Sequence, residues 1–349
     1  MTRFKIMLSY WAILSLHAPI LLAGRNIYRA PDANLPKIEI WQSDRPNQIY
    51  TLSDSHIRNF PLFEAYNEPY LLNRQLTTST VTYRNHPEKS IATVELLNQA
   101  EEVVAQLLAG HASFKNFAIL KKRDFNFKNH CGLIVLKFKH APFVLKIFIE
   151  SAQGFTKPYS KSFFQTSMFI TGGTNRHLNG FTRLKNADNI AAKLKDYPAW
   201  KDKIELPRKW FWLPNHPQWL QITGYNIGNK AVQHKRIPAI FGIIADEIVA
   251  HPTKRVYRQD CLKICKDLDF ISDPHYNNFR IEAETNKLLL YDTEHFPTLM
   301  GKYGSRLNAT QKSLGWYIGL AHKYIDEQFG ANKTYRQKRQ RPGSIYSLY

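Results

Sequence analysis

The chain of 349 residues is 44% hydrophobic and 22% charged, which supplies material for a packed core and excludes wholesale disorder. Its 48 Lys and Arg against 28 Asp and Glu give a formal charge of +20. That surface suits nucleotide, nucleic acid, anionic membrane or acidic protein partners without choosing among them. Three cysteines exclude a disulfide framework and no pair has zinc-ribbon spacing, so neither a structural disulfide nor a metal cluster is expected.

Arg3 and Lys5 precede an apolar segment from Ile6 to about Leu16, and Ala23 and Gly24 follow. Residues 1–24 therefore have the pattern of a secretory signal peptide, with a membrane anchor over residues 6–24 as the alternative. Residues 25–88 are rich in Pro, Asn, Arg and Tyr without a sustained period and read as an irregular extension. Ser90 then opens an expected amphipathic helix with Ile91, Val94, Leu97, Ala100, Val104, Leu107 and Leu108 on one face and Gly110 as its C-terminal cap. Phe117 to Leu120, Gly132 to Phe138 and Phe143 to Ile149 read as a three-stranded antiparallel meander, with His140-Ala141-Pro142 as a tight connection.

A short helix is expected at Asn189 to Leu194, and strands at Trp210 to Leu213, Trp219 to Thr223 and Ile237 to Val249. Tyr257 to Phe270 has helical spacing, with Cys261 and Cys265 on its apolar stripe as buried free thiols. A last helix starts at Thr310 and stops before Gly330, and beyond Glu327 the charges are all basic: Lys333, Arg336, Lys338, Arg339 and Arg341. That tail, residues 333–349, is suited to an anionic partner.

The stretch Asp273-Pro274-His275-Tyr276-Asn277-Asn278, followed by the apolar run Leu288-Leu289-Leu290-Tyr291 and Asp292, concentrates the chemistry. A loop aspartate is suited to orient an attacking hydroxyl, and Asn278 and Asp292 supply oxygen ligands of the kind Mg²⁺ takes. Upstream, Phe143-Val144-Leu145-Lys146 is a strand ending in lysine.

In these three places the chain resembles the protein-kinase-like superfamily. Asp273 and Asn278 match the Asp-x-x-x-x-Asn of its catalytic loop, Asp292 its metal-binding aspartate, and Lys146 the lysine of Val-Ala-Ile-Lys. Asp273-Pro274-His275 is closer to the loop of UbiB-like atypical kinases and of aminoglycoside phosphotransferases than to protein kinases, which usually carry Lys where His275 stands. The resemblance implies an α+β, two-lobed fold: an antiparallel-sheet N-lobe with its helix over residues 89–247 and a small, mostly helical C-lobe over residues 248–332. It implies ATP and Mg²⁺ as cofactors, with Lys146 on the phosphates, backbone groups of Ala245-Asp246-Glu247 on the adenine, and Asp273 as catalytic residue. Asn278 and Asp292 would hold the metal, and His275 would stabilise the loop.

Some positions depart from that pattern. Lys121 to Cys131 stands where a glycine-rich phosphate loop belongs and has no glycine; Asp292-Thr293-Glu294 replaces Asp-Phe-Gly, making Glu294 a third carboxylate or a repulsive block; and no glutamate is evident on a helix to pair with Lys146. The expected function is phosphoryl transfer from Mg-ATP to a protein or small-molecule hydroxyl. The alternatives are an exported pseudokinase acting as a binding or scaffold protein, and a basic surface- or nucleic-acid-binding protein. The aromatics Trp210, Phe211, Trp212 and Trp219 lie among apolar neighbours, so for them core packing is the better reading than base stacking.

Overall fold

The computed structural model describes residues 38–52, 66–155, 176–224 and 232–296. The expected signal peptide, the expected helix from Thr310 and the basic tail lie outside the described residues. The described chain is a mixed α+β molecule built mainly on antiparallel sheets.

Its main sheet comes from β5 (Phe117–Asn126), β6 (Cys131–Phe138), β7 (Phe143–Ile149), β9 (Lys209–Trp212) and β12 (Ile240–Asp246), in the order β5-β6-β7-β12-β9. The two central strands, Phe-Val-Leu-Lys-Ile-Phe-Ile and Ile-Phe-Gly-Ile-Ile-Ala-Asp, are buried at every position. Their continuous apolar runs suit a sheet covered on both faces. The meander stands as expected, but β5 runs on to Asn126, with register irregularities around Lys121. At the far side of that turn Gly132 takes φ +116°, where a side chain would be strained.

Residues taken for an irregular extension form real elements: β1 (Ile38–Gln42), β2 (Arg45–Leu52), the short helix α1 (Glu68–Leu72), β3 (Thr80–Thr82) and β4 (Ser90–Ala92). β1 sits inside a second sheet, β11-β10-β1-β2, where β10 is Trp219–Gly224 and β11 is Gln233–Pro238. The partner that orders β1 lies far downstream, so no local pattern announces it. The single strand expected over Ile237 to Val249 is in fact β11 and β12, which enter different sheets. The break falls at Pro238 and Ala239; Ala239 donates its N–H to Gln218 and accepts from Glu150 instead of continuing either ladder.

Helix α2 (Thr93–Leu108) starts three residues later than the expected Ser90 because Ser90–Ala92 is spent as β4. The delay rotates its inner face to Thr93, Leu96, Ala100, Val103, Val104 and Leu107, leaving Val94 63% exposed. Its end is as expected: Gly110 at φ +85° lets His111 N–H reach Gln106 O, a Schellman closure.

A turn of helix, α3 (Ala152–Phe155), follows β7. Helix α4 (Arg176–Lys195) has 20 residues where only Asn189 to Leu194 was legible. Its first half is buried on most sides, and the exposed positions Lys185, Asn189, Ala192 and Lys195 begin only midway, so that half lacks the polar outer face that advertises a surface helix. Gly180 lets it approach the sheet: a Cβ there would lie 2.7 Å from Phe241 and 2.9 Å from Phe148. A third, small sheet, β13-β14-β8, joins β13 (Phe279–Ile281), β14 (Leu288–Leu290) and β8 (Ile204–Glu205), the last pair parallel. With α5 (Arg258–Asp267) it encloses a second core of Ile190, Leu194, Ile204, Cys261, Ile264, Cys265, Leu268, Phe279 and Leu290. Cys261 and Cys265 are buried free thiols, as the sequence predicts.

Candidate functional site

The loop after α5 is a closed hydrogen-bonded unit. Asp273 Oδ1 accepts from His275 N–H at 3.0 Å, His275 Nδ1 accepts from Asn277 N–H at 3.1 Å, and Asn278 Nδ2 donates to the Asp273 carbonyl at 3.0 Å. His275 thus closes a hydrogen bond within the loop, and the tautomer this bond requires carries its proton on Nε2. Asn278 in turn accepts from Tyr291 N–H at 3.1 Å, so the hairpin β13-β14 returns the chain beside the loop and brings Asp292 next to Asn278. Asp273 is half-buried; burial, and after it the charge of Glu294, raises its carboxyl to about 6 against the bonds from His275 and Asn278.

Around Asp292 lies a cage of buried charge. Lys146, from β7, places its Nζ 3.6 Å from Asp292 Oδ1, and Arg183, from α4, bonds the same oxygen. Arg183 also reaches Glu294 at 3.1 Å, and Arg176 reaches both Glu294 at 3.6 Å and Asp124 at 3.3 Å. Lys121 closes on Asp124 at 2.6 Å. Lys209, from β9, donates to Thr293 Oγ1 at 2.7 Å, and that hydroxyl donates to the Arg183 carbonyl at 2.7 Å.

Crowding of like charge marks the electrostatics. Burial, then Arg183, holds the Lys146 ammonium well below its ordinary value, and burial, then Lys146 and Arg183, does the same to Lys209. Burial and Arg176 bring Lys121 down to about 7, although Asp124 pulls the other way. Burial alone would raise Glu294, but the guanidinium charges of Arg183 and Arg176 outweigh it and hold the carboxyl at about 2.

The sequence-derived residues Asp273, His275, Asn278, Asp292, Glu294 and Lys146 are therefore drawn together. The residues expected at an adenine edge differ. Glu247 N–H is already given to the Pro142 carbonyl at 2.8 Å and its carboxylate to Lys137 at 2.6 Å, so that amide does not meet a base. Ala245 is an interior residue of β12, in register with Val144 on one side and Lys209 on the other. Asp246 turns its buried carboxylate to Arg208 and Arg84. His295 bridges to Ser272, and burial lowers its ring to about 4.

Sequence reasoning missed Lys121, Asp124, Arg176, Asn179, Arg183 and Lys209. A signal was present: Arg176, Asn179, Arg183 and Asn186 recur at helical spacing as a polar stripe. It went unrecognised because α4 itself did. The aromatics Phe211 and Trp212 are buried, and Trp210 and Trp219 pack on the same core, which favours packing over base stacking. Among the described residues no cluster of three His, Cys, Asp or Glu could hold a metal by itself, and no helix is long and apolar enough to cross a membrane. Comparison with protein-family models, with curated proteins and with solved structures finds no match.

Proposed function

We propose that the chain is a divergent kinase-like phosphotransferase, using Mg-ATP to phosphorylate a hydroxyl of a protein or small molecule. The observation that carries this reading is the meeting of Lys146 and Asp292 at 3.6 Å. They come from elements far apart in sequence, and in kinases the corresponding lysine and aspartate serve one triphosphate. The order of elements supports it too. Lys146 lies on the third strand of a meander, a long helix follows, β12 returns beside β7, and α5 leads into the loop and hairpin. On this reading the large sheet is the N-lobe and the α5 region a reduced C-lobe.

The cage fits a polyphosphate. Lys121, Lys146, Arg176 and Arg183 face three carboxylates, Asp124, Asp292 and Glu294, and Lys209 joins them through Thr293, so five basic side chains gather around three acidic ones. Buried Arg183 Nε has no hydrogen-bond partner, and the depressed lysines are groups that an incoming anion would recharge. Asn278 Nδ2 is committed to the Asp273 carbonyl, which leaves its Oδ1 as the atom that would serve a metal. One carboxylate and one amide suit Mg²⁺, which takes its remaining ligands from phosphate and water.

When bound, Mg-ATP supplies the transferable γ-phosphoryl group and neutralisation of its developing charge. Asp273 would orient the acceptor hydroxyl and accept its proton on a carboxylate oxygen, with ADP as the leaving group. The cations hold the phosphate chain in place, so catalysis is positioning plus charge stabilisation. Calorimetric titration with ATP, with and without Mg²⁺, and a phosphoryl-transfer assay on the wild type and Asp292→Asn test the reading. Binding that needs Mg²⁺, with transfer lost in the variant, is expected; no binding in either condition would sink it.

A second reading has its own observation. Asp292 already faces two cations, and the Lys121–Cys131 segment is strand and tight turn in place of a glycine-rich loop. A pseudokinase that binds nucleotide or a partner without turnover would fit both. ATP binding without any transfer, to casein-like or small hydroxyl acceptors or to itself, selects it.

A further inference from the structure

The stripe Arg176, Asn179, Arg183 and Asn186 on α4 is spent almost entirely on the segment Asp292–Glu294. Asn179 Nδ2 donates to Glu294 Oε1 at 2.6 Å, and Asn186 Nδ2 donates to the Thr293 carbonyl at 3.0 Å and the Ile271 carbonyl at 2.9 Å. Arg183 straddles Asp292 and Glu294, and Arg176 sits between Glu294 and Asp124. In protein kinases the lysine strand is latched to the next helix by a glutamate on that helix, and the latch must be in place for the metal-binding aspartate to act. In this chain the helix brings cations and the carboxylate stands two residues after the aspartate.

We propose that Glu294 is a positioning residue that closes this latch with reversed polarity, dividing the Arg183 guanidinium with Asp292 so that the Asp292 carboxylate stays available to a divalent cation. The assignment rests on the phosphotransferase reading. Glu294 is 5% exposed and anchored by three side chains of one helix, a geometry that fixes it rather than offering it as a metal ligand. If Glu294 loses its charge, Arg176 keeps Asp124, but Arg183 is left with Asp292 alone. The cation Mg²⁺ then competes with an undivided guanidinium, whereas a metal-free polyphosphate meets one repelling charge fewer. The two consequences run in opposite directions, which loss of structure cannot imitate.

The test uses the full chain as wild type, Glu294→Gln and Glu294→Asp. Gln retains an acceptor for Asn179, and Asp retains the charge. In Glu294→Gln the Mg²⁺ concentration for half-maximal ATP binding should rise about tenfold, the size of effect one charge has on a contacting carboxylate. Metal-free ATP should bind as well as to wild type or better, and Glu294→Asp should move back toward wild type. Hydrogen exchange across residues 288–296 in the ligand-free protein should quicken in Glu294→Gln. Equal weakening with and without Mg²⁺, or an unchanged Mg²⁺ requirement, overturns the proposal. So does unchanged exchange at residues 288–296, whatever the nucleotide does. If the wild type binds no ATP while exchange still responds to Glu294→Gln, the phosphotransferase reading falls and the latch itself stands.

Discussion

Asp273 and Lys209, of opposite sign, carry the same lesson about charge taken out of water. The Asp273 carboxyl is raised to about 6 from an ordinary 3.8, so the folded protein binds its proton more tightly than the unfolded chain. Its contribution to stability is complete below about pH 4 and is lost as pH climbs toward 6. Asp273→Asn should therefore stabilise the protein at pH 7 by on the order of 1–3 kcal/mol, measured by denaturant unfolding, with the gain vanishing at pH 4. Activity should show the converse: transfer by the wild type rises through about pH 6 as Asp273 ionises, and the asparagine variant has no such limb. Lys209 is 6% exposed and is penalised by burial and by Lys146 and Arg183. Lys209→Met fills similar space without charge, so unfolding should cost about 1–3 kcal/mol more. Calorimetry with inorganic triphosphate should show weaker binding. A variant that is less stable, or that binds triphosphate unchanged, would contradict the phosphate cage.

At the scale of elements, α4 decides the site and was the hardest to read. Its inner surface includes Leu178, Phe181, Leu184, Ile190 and Leu194 along with the buried polar stripe. Apolar and polar residues therefore mix around the helix, and the usual amphipathic period disappears. Gly180 looks like a helix breaker in sequence, yet it is the point where the helix lies on Phe148 and Phe241, whose rings stack at 4.6 Å. Gly180→Ala gains helix propensity of about 1 kcal/mol but drives a methyl into both rings. A net loss of about 1–3 kcal/mol in unfolding free energy is expected, and a stabilised variant would mean that α4 stands off the sheet. By contrast β7, α5 and the C-cap at Gly110 were legible, because each follows a local rule that its surroundings do not override.

Across the whole molecule, two cores are joined by more than a single crossing. α4 contributes Leu178, Phe181 and Leu184 to the larger core and Ile190 and Leu194 to the smaller. β8, between α4 and β9, pairs with β14. Arg84, from the segment read as an irregular extension, reaches Glu205 at 2.7 Å, bonds buried Glu282 and lies 3.9 Å from Asp246. One arginine thus ties β8, the β13-β14 hairpin and the end of β12. Arg84→Met should destabilise by on the order of 3 kcal/mol, because it strands buried Glu282. Adding Glu282→Gln should recover part of the loss in a double-mutant cycle. Strict additivity of the two changes would show that the strap is not a unit.

By itself the sequence determined the residue chemistry at Lys146, Asp273, Asn278 and Asp292, the meander that carries the lysine, and the helix that leads into the loop. Each depends on spacing along a short stretch of chain, where side-chain direction follows from backbone period. Only the tertiary structure decided that the helix on which a glutamate was sought for Lys146 instead brings Arg183 beside Asp292, that Asp124 and Lys121 join the same cage, and that Arg84 belongs at the junction of β8, β12 and the β13-β14 hairpin. These are contacts between residues distant in the chain. What makes them worth forming is burial and the company of opposite charge, neither of which exists until the sheet and α4 have packed.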